Sequence, residues 1–81
     1  MKELLQENGF SYLGLCRICK NQFEDWTKLV NNKTVMVKVR IDQRRAKIII
    51  SGETFWIQAG AGGNTPMRDR LEFVLKEKGV L

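Results

Sequence analysis

Residues 34 to 42, TVMVKVRID, place Val35, Val37, Val39 and Ile41 at every second position, with Met36, Lys38, Arg40 and Asp42 between them. Side chains of a strand alternate between its two faces, so this spacing predicts a strand with one apolar face and one largely basic face. Such a strand needs partners along its edges and a cover for its valines. The flanking sequence supplies both. Asn31 and Asn32, which tolerate positive φ better than other residues with a Cβ, mark a turn before it. After it, the turn DQRR leads to AKIIIS, where Ala46, Ile48 and Ile50 share one face and Lys47, Ile49 and Ser51 the other. Ser51, Gly52 and Glu53 turn the chain again into TFWIQA, with Phe55 and Ile57 facing inward and Trp56 outward.

The flanks of this region read as helices and one further strand. KELLQEN, residues 2 to 8, has the length of a two-turn helix stopped by Asn8 and Gly9, too short to be stable without packing. FSYLGLC, residues 10 to 16, reads as a strand interrupted by Gly14. Between Cys19 and Asn32 the pattern is open, because Phe23, Trp26, Leu29 and Val30 suit either one face of a helix or the buried points of an irregular strand. Beyond the loop GAGGN, Thr65 is expected to cap a helix with Pro66 at its first position, Met67, Leu71, Val74 and Leu75 on its apolar face, and Gly79 as its stop. The expected fold is a single small α+β domain over residues 1 to 81. It has an antiparallel β-meander of three to five strands, a short N-terminal helix, and a C-terminal helix packed on one face.

The order helix, strands, helix resembles that of double-stranded-RNA-binding domains, and ELLQENGF is similar to the opening of small bacterial toxins that use the same fold. The chain departs from both patterns. It has no histidine, on which those toxins depend, and PMRDR stands where the RNA-binding domains open their last helix with a lysine pair.

Charge sharpens the functional reading once it is located. The net charge is +5, and residues 33 to 47 carry Lys33, Lys38, Arg40, Arg44, Arg45 and Lys47 against Asp42 alone. All of the excess therefore sits on one hairpin, while charges elsewhere cancel. No apolar run approaches the roughly 18 residues of a membrane span, and MKELLQENGF lacks the apolar stretch of a signal peptide, so a cytoplasmic protein with no membrane partner is expected.

Three places have the residue types for binding chemistry. The first is the outward sheet face, where Lys38, Arg40, Lys47 and Trp56 lie by parity, with Arg44 and Arg45 at the hairpin tip. Cations around an exposed aromatic suit phosphates and a stacked base. Met36 and Ile49 share that face, however, and an apolar stripe of this kind also suits cover by the first helix, by Phe23 and Trp26, or by a second copy of the chain. The second place is Cys16 and Cys19. Their spacing is half of a tetrahedral zinc site, which a homodimer would complete; a redox pair and two reduced packing residues are the other readings. Zinc is the one cofactor the pair would suit, and otherwise none is expected. The third is QAGAGGNTPMRDR, where Gly62, Gly63, Thr65 and Arg68 would meet an anion at a helix start, although neither phosphate-binding fingerprint is present.

An enzyme is not expected, since no complete set of acid, base and nucleophile can be assembled without histidine. The expected function is a small basic binding module that engages nucleic acid non-specifically through residues 33 to 47. The alternative is a structural or protein-contact module with no nucleic-acid role, a homodimer that uses the Met36, Ile49 and Trp56 stripe or the cysteine turn, with or without a bridging zinc; an acidic protein is a further candidate partner for the basic hairpin.

Overall fold

Local turn chemistry sets the strand boundaries. In the computed structural model, which describes residues 2–18, 20–58 and 66–81, Asn31 and Asn32 take φ of 51° and 64°. Ser51 and Gly52 take 51° and 83°. Two consecutive residues at positive φ give the turn whose twist matches that of the flanking strands, so each pair closes a two-residue hairpin. The elements follow as α1 (Lys2–Glu7), β1 (Ser11–Leu15), β2 (Phe23–Val30), β3 (Lys33–Arg40), β4 (Arg45–Ile50), β5 (Glu53–Gln58) and α2 (Met67–Glu77). The five strands form one antiparallel sheet in chain order, the α+β meander expected from the sequence.

The undecided segment between Cys19 and Asn32 contains a full strand, β2, paired with β3 along its whole length. The strand order is therefore β1-β2-β3-β4-β5, with residues 11 to 15 inside the sheet. Trp26 is opposite Val37 and 2% exposed, on the face that also carries Val35, Val39, Ala46, Ile48 and Ile57. Ile41 departs from the expected alternation. It lies beyond the end of β3, where its N–H donates to the Gln22 carbonyl, and its side chain is exposed. Asp42 bends the chain there, its Oδ1 accepting the Arg44 N–H at 2.9 Å, and Gln43 takes φ 59°.

Both helices contribute to one core. Leu4, Leu5, Phe10, Met67, Leu71 and Leu75 join the inward residues of β2 to β5 in a single buried cluster. Burying each leucine contributes about 1.5 to 3 kcal/mol, which outweighs the weak intrinsic stability of a helix as short as α1. Each helix stops at a glycine in the left-handed region, Gly9 at φ 85° and Gly79 at φ 77°. The residue after each glycine donates back into the last turn, Phe10 to Leu5 at 2.9 Å and Val80 to Leu75 at 2.9 Å. These bonds satisfy orphan carbonyls and turn Phe10 and Val80 into the core.

The start of α2 is one residue later than expected. Pro66 has an extended ψ of 149° while its carbonyl accepts the Asp69 and Arg70 N–H groups, so Pro66 flanks the helix and Met67 is its first residue. Thr65 lies outside the described residues. Among the described residues no helix is long and apolar enough to cross a membrane.

Candidate nucleic-acid interface

The face of the sheet opposite the core is built by the remaining positions of each strand. Register aligns Gly14, Asp25, Lys38, Lys47 and Trp56 in one row running from β1 to β5. A second row runs through Thr27, Met36, Ile49 and Thr54. None of α1, Leu4, Leu5 or Trp26 covers this face, because those residues belong to the core on the other side. Phe23 and Leu29 share it but lie toward the two ends of β2, and Leu29 is exposed. The stripe of Met36 and Ile49 is half-buried among its strand neighbours, and Trp56 is 53% exposed.

Two lysines directly opposite one another repel, so Lys38 and Lys47 need a compensating charge. Asp25 provides it on one side only. Its carboxylate oxygens accept from Lys38 Nζ at 3.1 and 3.2 Å, and the same ammonium lies 3.3 Å from Cys16 Sγ. Both partners of the ion pair are largely sequestered, with side chains 13% and 16% exposed. Burial disfavours the ammonium, but the hydrogen bonds and charges of Asp25 and Cys16 outweigh it and hold the Lys38 pKa above the usual lysine value. Lys38 belongs by parity with the other cations of this face, yet its charge is taken up from within the protein.

Lys47 and Arg45 are placed differently. Lys47 Nζ lies 5.1 Å from the centre of the Trp56 ring, and the Arg45 guanidinium lies 5.0 Å from it on the diagonal. Cations at this range are attracted to the electron-rich indole face and fix its orientation. Arg44 is exposed at the hairpin tip, where its backbone N–H donates to Asp42 Oδ1. Arg40 pairs with Asp42 at 3.3 Å, a half-exposed contact that salt weakens. Among the described residues no carboxylate lies within ion-pair distance of Arg44, Arg45 or Lys47.

The other two sequence-predicted places are only partly within the described residues. Cys19 lies outside them, and Cys16 is buried beside Lys38. No group of three histidine, cysteine, aspartate or glutamate side chains is placed to hold a metal ion among the described residues. Gly62, Gly63 and Thr65 also lie outside them. Arg68, in the first turn of α2, reaches Glu72 at 3.5 Å and Asp69 at 3.6 Å, so its charge is offset along its own helix.

Two features of this surface have no signal in the local sequence. The contact of Asp25 depends on the β2–β3 register. The β1 edge exposes Tyr12, Leu13, Leu15 and the following Ile18, with no charge in SYLGL, and alternation alone does not tell an edge strand from a central one. Compared with known proteins, the chain matches no family model, no curated protein and no solved structure.

Proposed function

We propose that the protein is a small cytoplasmic binding module that holds nucleic acid through its phosphates, without strong sequence choice, over the β4–β5 half of the sheet. The observation that carries this reading is the grouping of Arg45 and Lys47 against the exposed Trp56, with Arg44 at the adjoining tip and, among the described residues, no carboxylate within ion-pair distance of the three side chains. Phosphate oxygens supply the negative charge that the protein itself supplies to Lys38. The affinity of such a surface comes from counterion release and falls with salt in proportion to the phosphates neutralised. Exchanging Arg44→Gln and Arg45→Gln together is expected to weaken binding to a labelled oligonucleotide and to flatten the log–log salt slope by up to about two phosphate contacts. An unchanged slope would sink the assignment.

A second reading, a protein-contact module, rests on the β1 edge. Edge strands usually carry charge or cover that prevents pairing with another chain, and the run Tyr12, Leu13 and Leu15 carries none. Native mass spectrometry of protein purified without chelator reads subunit count and metal together. Under this reading a dimer is found that Leu13→Lys dissociates. A monomer over the accessible concentration range removes self-pairing, and one zinc per two chains would locate the dimer contact at Cys16 and Cys19 instead.

A further inference from the structure

We propose that the nucleic acid held by this surface is single-stranded and that Trp56 stacks on an unpaired base; the proposal rests on the nucleic-acid reading above. The sheet topology gives the indole one occupied side. Among the described residues β5 is an edge strand paired with β4 alone, and both cations over the Trp56 ring, Lys47 and Arg45, come from β4. No strand among the described residues pairs with the other edge of β5. The ring is thus braced from β4 and half-exposed, which removes part of the ordering cost of meeting a flat partner.

The chemistry of the partner follows from what a braced indole recognises beside two cations. A base offers a π face to stack, and its own phosphates are the anions within reach of Arg45, Lys47 and Arg44. In a duplex the bases are stacked on each other and show only their edges in the grooves, so an indole standing on a sheet face gains nothing from them. An acidic peptide has the charge but offers no comparable face at each anion. On the opposite half Lys38 is engaged by Asp25 and Arg40 is paired with Asp42, so the cations without a carboxylate partner among the described residues lie along β4, from Lys47 through Arg45 to the hairpin tip, and the strand follows them.

The test compares fluorescence anisotropy of three labelled probes at one low salt concentration: oligothymidylate, an abasic sugar-phosphate strand of the same length, and a duplex. The proteins are the unaltered chain, Trp56→Ala, and the double variant Arg45→Gln with Lys47→Gln, each on the exposed face, with Trp26 fluorescence reporting that the fold is kept. Oligothymidylate is expected to bind about 5- to 150-fold more tightly than the abasic strand, the range given by one stacked base. Trp56→Ala should close that gap between oligothymidylate and the abasic strand, while the double variant weakens all three. If Trp56→Ala changes all three probes equally, or none, stacking is overturned while phosphate binding stands. If no probe binds but polyglutamate does, or nothing binds, the nucleic-acid reading itself falls and the proposal with it.

Discussion

On β2 and β3 the solvent-side row is closed by a carboxylate: Asp25 and Cys16 surround the Lys38 ammonium, and both side chains of the ion pair are mostly out of water. On β4 and β5 the same row continues through Lys47 to Trp56, and the described residues bring no acid to it. The two lysines are neighbours with the same strand geometry and the same parity. The difference teaches that a cation on a sheet face is available to a ligand only if the residue across the next strand leaves it so. The two tryptophans repeat the contrast, Trp26 at 2% exposure inside the core and Trp56 at 53% outside it.

The strongest way to break this contrast is to truncate each tryptophan in turn. Trp26→Ala is expected to lower stability by about 3 to 5 kcal/mol in urea unfolding, the range for a large aromatic removed from a packed core. Trp56→Ala should cost less than about 1 kcal/mol, since it loses only surface contacts with Arg45 and Lys47. Comparable losses for the two variants would show that the outer face is structural rather than available.

A smaller effect separates the lysines. Lys38→Met leaves Asp25 without its main countercharge and should cost about 1 to 3 kcal/mol, whereas Lys47→Met should change stability by less than about 0.5 kcal/mol. The pH dependence sharpens the difference. Because folding raises the Lys38 pKa, the pair's contribution is complete below the ordinary lysine value of 10.5 and is lost as pH climbs through the folded value. The unaltered protein should therefore lose stability in strong alkali by an increment that Lys38→Met lacks. Equal alkaline slopes for Lys38→Met and Lys47→Met would contradict the pairing.

Strands β3, β4 and β5 were legible because alternation on both faces and turn residues between them point to one register. β2 was not, for a physical reason. Its core face carries Glu24 and Lys28 on either side of Trp26, while Phe23 and Leu29 lie on the solvent side, so the local pattern has no clean period. Lys28 tolerates its place by laying its ammonium 5.7 Å from the Phe10 ring. The grouping of Lys47 and Trp56 on one face followed from parity alone. The engagement of Lys38 did not, because it depends on which residue of β2 lies opposite, a pairing between strands that neither segment encodes by itself.

The chain-order arrangement of the sheet also bears on how quickly the molecule can be made. Each of its four pairings joins consecutive strands, two of them across turns of two residues, so no large loop must close before the sheet can grow. Folding rates rise as the sequence separation of contacting residues falls, and a meander lies toward the fast end for sheet proteins. What is left over is the packing of α1 and α2, whose Leu4, Leu5, Leu71 and Leu75 join one cluster with the inward residues of the sheet. Hairpins can therefore zip in succession as the chain becomes available, and the two helices, once docked, exclude water from the valine face.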